Sequence, residues 1–264
     1  MNNVLVAVLL ATVSGPVLAQ ATDDPPTFSV SLGAFFTDRD TDTRIDAEST
    51  EDTGTDINLE DDLGFDNSDT VFRLDAYWRF ADNHRVDFSA FDLSRNSVKV
   101  IDRDITIGDT TYPIDTQLEA KLDLGIYKAA YTWMFMRDGR DFLGLSAGLY
   151  VADIGTGFVG PLGVDRESND ITAPLPVIGL RGAYHFGERW AVRGSAEIFR
   201  FEYGAFDGSL YDVFGGIDYS ITEMFSLGLG FNAVRFNLGF DDSKLTGDLD
   251  WAYAGAMLYL KFDF

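Results

Sequence analysis

The chain has 264 residues, no cysteine, and 43 Asp and Glu against 20 Lys and Arg, for a formal net charge of −23. This length fits one domain, and the missing cysteines exclude disulfides, thiolate metal sites and a lipoprotein anchor. The acidic balance excludes nucleic acid as a partner, because phosphate contacts need clustered Lys and Arg, and no run approaches the ~18 apolar residues of a membrane helix.

Residues 1–21 have the layout of a secretory signal peptide. Val4 to Val13 are apolar, Gly15-Pro16 break the run, and small residues place cleavage after Ala19 or Ala21, although Met1-Asn2-Asn3 carries no Lys or Arg. In the remaining 22–264, Phe28, Val30, Leu32, Ala34 and Phe36 alternate with Ser29, Ser31, Gly33 and Phe35, the period-two pattern of a strand. Next comes a long acidic loop, about 38–69, with ten Asp and three Glu against Arg39 and Arg44. Its Asp38, Asp40, Asp42 and Asp46 have a spacing superficially like that of a calcium loop. Thr43 stands where such a loop needs Gly, however, and Ser49 where it needs Glu. The expectation is therefore a solvated loop whose carboxylates gather divalent cations diffusely.

Phe72 to Phe80 and Val86 to Ala90 form a hairpin around Ala81-Asp82-Asn83-His84, and a second long connection spans 100–116. Leu118 to Ile126 then continue into Ala129, Tyr131, Trp133 and Phe135 across a change of parity at Tyr127-Lys128, which predicts a β-bulge. The same slip recurs at Ala90-Phe91, Ile198-Phe199 and Ala233-Val234. A turn at 136–141 leads to Leu143 to Val151, and a Gly- and Pro-rich connection over 153–174 leads to Ile178 to Phe186. Trp190 to Ile198, Val213 to Ile221 and Phe225 to Ala233 follow, separated by a loop near 204–209 and a turn at 222–224. A last loop, 241–248, precedes the final strand.

Short and long connections thus alternate along ten strands, which predicts an all-β, up-and-down antiparallel transmembrane β-barrel. Trp78, Trp133 and Trp190 lie beside short turns and form one aromatic girdle; Phe36, Phe199, Phe201, Tyr203, Phe236 and Phe240 lie toward the long loops and form the other. In the final strand Leu258, Leu260, Phe262 and Phe264 share one face and the chain ends on Phe. This stretch resembles the C-terminal signature of bacterial outer-membrane β-barrel proteins, and the plan is similar to that of the small OmpA-type and OmpW-type barrels. The resemblance implies the outer membrane of a Gram-negative bacterium, both termini in the periplasm, and contact with outer-membrane lipid and lipopolysaccharide. It also implies reading of Phe264, Phe262, Leu260 and Leu258 by the barrel assembly machinery.

Among such barrels, omptin-type proteases, outer-membrane phospholipases and lipid A deacylases imply a catalytic His with Asp or Ser at the extracellular rim. Here His84 and His185 both lie at short turns, at the opposite end, so no enzyme and no cofactor are expected. The faces opposite the apolar ones assign Arg73, Asp75, Arg79, Arg85, Asp87, Glu119, Lys121, Asp123, Arg181, Arg193, Glu197, Asp212, Asp218 and Lys261 to the lumen. In a narrow interior these charges need partners, so their mixed sign points to a cross-strand salt-bridge network. The alternative is a porin-like channel for small solutes, although a selective pore more often carries a ring of one sign.

Overall fold

A computed structural model describes residues 26–45, 55–107, 110–159, 166–203, 206–242 and 245–264. The expected signal segment, 1–21, and Asp46 lie outside these residues. In chain order the strands are β1 Phe28–Ile45, β2 Ile57–Asn58, β3 Ser68–Ala81, β4 His84–Val100, β5 Ile105–Ile107, β6 Thr110–Tyr112 and β7 Gln117–Asp138. They continue with β8 Asp141–Val159, β9 Arg166–Phe186, β10 Trp190–Tyr203, β11 Phe206–Ser220, β12 Phe225–Asp242 and β13 Leu245–Asp263. Ten of these, all but β2, β5 and β6, form an antiparallel wall in which each strand pairs with its neighbours in sequence and β13 pairs with β1. Closure reaches the last residue: Phe28 and Phe264 exchange both backbone hydrogen bonds, at 3.0 and 2.8 Å. A closed ladder leaves no unpaired edge along this seam, the condition for a sheet to stand in lipid.

The outer surface divides into two zones. Beside the short turns it carries exposed apolar side chains on every wall strand, such as Leu32, Phe72, Phe88, Leu145, Ile178 and Phe231. The band spans roughly the 9–11 residues that a tilted strand needs to cross a bilayer. Trp78, Trp133 and Trp190 project outward at its edge, where Trp190 packs on Tyr219 at 4.8 Å and Trp78 on Phe80 at 5.8 Å. Leu258, Leu260, Phe262 and Phe264 lie on the same outer face.

The four parity slips are not bulges. β4 pairs β7 without interruption from His84 to Val100, and β11, β12 and β13 are equally continuous past Val234. Along β7 the even residues point inward from Leu118 to Met134. What changes at Tyr127-Lys128 is the chemistry of the two faces. Below it, Tyr127, Tyr131 and Trp133 face out while Lys128 and Thr132 are buried inside; above it, Leu118, Ala120, Leu122, Leu124 and Ile126 are buried inside. The slip marks the level at which the wall leaves the lipid band. Where the outside becomes water, the inner face becomes the apolar one. Register shifts do occur, but at the short-turn ends, between Arg79 and Ala81 and between Met134 and Met136.

The second predicted aromatic girdle is corrected by the same inversion. Phe36 does face outward, but Phe236 is buried in the interior cluster and Phe199 packs against it. The side chains of Phe201, Tyr203 and Phe240 lie outside the described residues.

Three of the expected long loops are mostly strand. β8 and β9 remain paired from Phe142 with Ala183 to Val159 with Arg166, and β10–β11 and β12–β13 run on similarly beyond the apolar band. β9 and β10, by contrast, pair only as far as Ile178 with Ile198. Pro174 and Pro176 account for this parting. Proline has no N–H, the two share one parity, and β8 continues to pair on the other side, so the edge of β9 toward β10 loses two successive donors.

The first loop is likewise structured in part. β2 pairs beside Asp42 and Thr43 of β1, above the start of β3. Ile57, Leu59, Leu63 and Phe65 then pack with Leu118, Ala120 and Leu122 of β7 and with Ile101, Ile105 and Tyr112 of the second connection. Arg95 of β4 fixes this segment, donating to Glu60 Oε1 at 2.7 Å and to the Asp66 carbonyl at 2.5 Å, while Ser97 donates to the Leu63 carbonyl.

Candidate functional site

The interior of the barrel is layered. Toward the short turns it is polar, and a single chain of contacts crosses it. Asp75 accepts from Arg73 Nε at 3.0 Å, and Arg73 Nη1 donates to Asn232 at 2.7 Å. Asn232 in turn donates to Asp212 at 2.7 Å. Lys128 Nζ lies 3.1 Å from Asp212 and 2.7 Å from Glu197. Glu197 accepts from Arg181 at 2.7 Å, and Arg181 reaches Asp87 at 3.3 Å. Asp87 also takes the Thr132 hydroxyl at 2.7 Å and an ion pair from Arg85 at 2.7 Å. The rail therefore joins β3, β12, β11, β7, β10, β9 and β4. Charges this deeply buried are tolerable because each finds an opposite charge or a hydrogen bond.

A second group sits against β13. Asp218 accepts the Tyr259 hydroxyl at 2.5 Å and lies 3.3 Å from Arg193 Nε. Lys261 pairs with Asp263 at 2.7 Å and lies 3.9 Å from Asp218. The Arg193 guanidinium stands over the Tyr259 ring at 4.7 Å. Tyr259 can lie flat here because β12 presents Gly228 beneath it; a Cβ at that position would overlap the ring.

Above this polar layer the interior is largely apolar, although Thr37, Arg39 and Thr41 of β1 and Arg95 and Ser97 of β4 are also buried there. Phe35, Val71, Phe91, Leu124, Tyr150, Leu175, Leu210, Val234 and Tyr253 belong to one buried cluster, against which Phe199 packs, so all ten wall strands contribute to it. Tyr253 contacts both Phe35 and Phe91 edge-on, at 5.6 and 5.9 Å. The apolar layer is thus drawn from the whole circumference of the barrel. Below it a cavity of about 110 Å³ extends from Lys128 and Phe214 down to Pro26, Arg140 and His185 at the short-turn rim.

Of the lumen residues assigned from sequence, eleven point inward: Arg73, Asp75, Arg79, Arg85, Asp87, Arg181, Arg193, Glu197, Asp212, Asp218 and Lys261. Glu119, Lys121 and Asp123 do not. They lie on the outer face of β7 above the apolar band, because β7 keeps one register where a bulge was expected. Asp123 accepts from Lys121 and, at 2.5 Å, from Ser94. Partial burial opposes ionisation of its carboxyl, but these two donors outweigh it and hold the pKa below the ordinary value. Sequence reasoning missed Lys128, Asn232, Tyr259 and Asp263. Lys128 sat at the supposed slip; yet with Ala129, Tyr131 and Trp133 turned to lipid, its neighbouring position had to face the lumen.

The calcium-like spacing is corrected as well. Asp38, Asp40 and Asp42 are exposed in a row on the outer face of strand β1, where alternate residues splay rather than converge. Asp40 and Asp42 instead share the Asn58 side-chain amide, at 2.8 and 3.0 Å. His84 stacks between Phe80 and Tyr131 at 6.0 and 5.9 Å, and His185 Nδ1 lies 2.8 Å from Asp141.

The fold of this closed barrel has solved counterparts. The outer-membrane protease OmpT from Escherichia coli superposes with a TM-score of 0.59 over 91% of this chain and 97% of its own, at 13% identity. The fold is that of a Gram-negative outer-membrane β-barrel. Looser likenesses include Ail, the attachment invasion locus protein of Yersinia pestis, with a TM-score of 0.37 at 13% identity over 88% of this chain and 98% of its own. Another is the outer membrane protein OprG from Pseudomonas aeruginosa, with a TM-score of 0.36 at 16% identity over 91% of this chain and 98% of its own. No protein-family model and no curated protein sequence matches the chain.

Proposed function

We propose that this protein is a closed, non-enzymatic barrel that stiffens the outer membrane and presents its acidic long-loop end to the cell exterior, with both termini in the periplasm. One observation carries the reading: a buried, largely apolar cluster to which all ten wall strands contribute lies above a cross-strand ion-pair rail, and in this reading it is a plug that closes the lumen. Ions crossing that layer would lose much of their hydration among the apolar side chains, so a porin-like channel fits less well. The histidines support the absence of a His-based catalytic site, since both lie at the short-turn end, His84 among lipid-facing rings. The partners in this reading are outer-membrane lipid, lipopolysaccharide with its divalent cations beside the Asp38, Asp40 and Asp42 row, and the barrel assembly machinery acting on the Phe264 strand.

Single-channel recording in planar bilayers tests the closed lumen. The refolded parent is expected to be silent, whereas discrete, reproducible steps altered by Arg73→Ala or Asp75→Ala would overturn the proposal in favour of a pore. Orientation is read separately with Thr222→Cys, since the chain has no cysteine of its own. An impermeant maleimide should label it only after the outer membrane is opened, and labelling in intact cells would reverse the assigned sides.

A further inference from the structure

The ladder between β9 and β10 stops part-way up the wall. Its last pair is Ile178 with Ile198, although β9 runs on beside β8 to Arg166 and β10 runs on beside β11 to Tyr203. Continued register would set Arg200 opposite Pro176 and Glu202 opposite Pro174. On that parity the backbone N–H and C=O of Arg200 and Glu202 turn toward β9, where proline has no donor to return to either carbonyl. Among the described residues no backbone hydrogen bond from elsewhere fills this slot. β3 and β4 also part, above Arg73 with Phe91, but there Arg95 and Ser97 of β4 hold the first-loop segment.

The slot opens at the upper edge of the apolar band. Pro176 lies in a row with Leu149, Ala129 and Phe88, all exposed on the outer face, and Pro174 in a row with Val151 and Tyr127. Across the slot, Arg200 lies in a row with the polar Ser209 and Asn237. One lip therefore meets acyl chains and the other meets headgroups. Elsewhere the outer face above the band is acidic, with Asp38, Asp40 and Asp42 on β1, Asp92 on β4, Glu119 on β7 and Asp153 on β8 exposed. Lys121 and Arg235 of the same face are committed to Asp123 and Asp250. The Arg200 side chain is exposed and makes no ion pair or hydrogen bond among the described residues.

We propose that this slot docks one lipid of the surrounding leaflet that carries a phosphate monoester, its phosphate on the Arg200 guanidinium and its acyl chains lying over Ile178, Leu180 and Ile198. The planar donor fork of a guanidinium matches a phosphate, and the contact is direct, without a bridging cation. Hydroxyls of a headgroup also supply donors to the two bare carbonyls, which acyl chains alone cannot do. Only the choice of leaflet rests on the orientation proposed above: with the long loops outward it is the outer leaflet, and the lipid is lipopolysaccharide through its lipid A phosphate.

Native mass spectrometry of the refolded full chain in divalent-free detergent tests the site independently of sidedness and conduction, with dipalmitoyl phosphatidic acid and dipalmitoyl phosphatidylcholine as probes. One phosphatidic acid per barrel is expected, preferred by about fivefold, the worth of one basic side chain beside an anionic lipid. Arg200→Gln should abolish the preference, and Arg235→Gln should leave it unchanged. Pro174→Val with Pro176→Val restores both donors and should also lower it, although Arg200 stays. Arg200→Gln is an exposed change, so it decides the matter even if the proline variant does not migrate as folded on a cold detergent gel. No preference in the parent, the same preference in Arg200→Gln, or full preference in a folded proline variant would overturn the slot. Displacement of the lipid by inorganic phosphate would overturn it too, because the ligand would then be a solute. A preference that persists while Thr222→Cys labels in intact cells would uphold the slot and move it to the inner leaflet; only the orientation would fall.

Discussion

Lys128 is where the interior is most exposed to a single change. Its side chain is 6% exposed, and it is shared by two carboxylates that are themselves buried, Glu197 at 1% and Asp212 at 2%. In Lys128→Met the stem volume is largely kept and only the charge is lost, so the variant isolates electrostatics from packing. Glu197 keeps Arg181 and Asp212 keeps Asn232, but each loses its ammonium partner in a site that water hardly reaches. Removing one partner of a buried pair costs about 3–5 kcal/mol, because the surviving charge stays desolvated. At roughly 1.4 kcal/mol per tenfold, that is about two to three and a half orders of magnitude in the folding equilibrium. Reversible urea unfolding of the barrel in lipid vesicles measures it. Adding Asp212→Asn alone to Lys128→Met restores the balance of charge along the rail, because Glu197 keeps Arg181 and Asn232 keeps a hydrogen-bonding side chain opposite it, and should recover most of the loss. A loss below about 1 kcal/mol for Lys128→Met, the range of exposed ion pairs, would refute the buried rail.

Other outcomes follow from separate parts of the structure. Gly228→Val drives a side chain into the Tyr259 ring and should destabilise by about 1–3 kcal/mol, with a changed near-ultraviolet spectrum; an unchanged spectrum would mean Tyr259 does not lie on β12. Arg95→Met removes the ion-pair partner of Glu60 and the donor to the Asp66 carbonyl, so limited proteolysis within 55–67 should accelerate while the barrel stays resistant; equal cleavage rates would detach the loop from β4. Phe264→Ser should reduce the assembled fraction in cells far more than it lowers the urea midpoint of protein already folded. Equal effects on both would assign Phe264 to stability and not to assembly.

The sequence shows the ten strands, their order and the short turns, because period-two alternation is strong wherever one face meets lipid and the other a polar lumen. It does not show where the membrane stops. At Tyr127-Lys128 the pattern has two physical causes that look identical in one dimension: an extra residue that rotates the strand, or an unbroken strand whose surroundings change. Expecting a bulge sent Glu119, Lys121 and Asp123 into the lumen. The structure turns them out, because the strand is unbroken. Partners were equally hidden. Lys128 joins residues 69 and 84 positions away, and Asn232 is neutral, so no count of charges singles it out. The acidic first loop concealed its own anchors, since Ile57, Leu59, Leu63 and Phe65 are few among many carboxylates and their apolar partners lie on β7.

The recurrence of the slip on four strands constrains how the interior can be built. A strand has two faces, and a wall one strand thick must answer to both sides at once. Within the lipid band the outer face is committed to apolar residues, so the interior takes the polar ones, and they survive only by pairing across the lumen. Above the band the outer face is committed to water, which frees the inner face to be apolar. Ten strands converging there make a hydrophobic core like that of a soluble protein. Each half supplies what the other lacks. The upper core gains its stability from burial, independently of lipid; the lower rail depends on its registered partners to hold charges in a dry place. Ala substitutions in the upper cluster, such as Phe91→Ala, should therefore cost about 3–5 kcal/mol whether the barrel is in detergent or in bilayer. If the cost vanished in one of them, the plug would owe its cohesion to the membrane, and the division of the interior into two independently stabilised layers would be wrong.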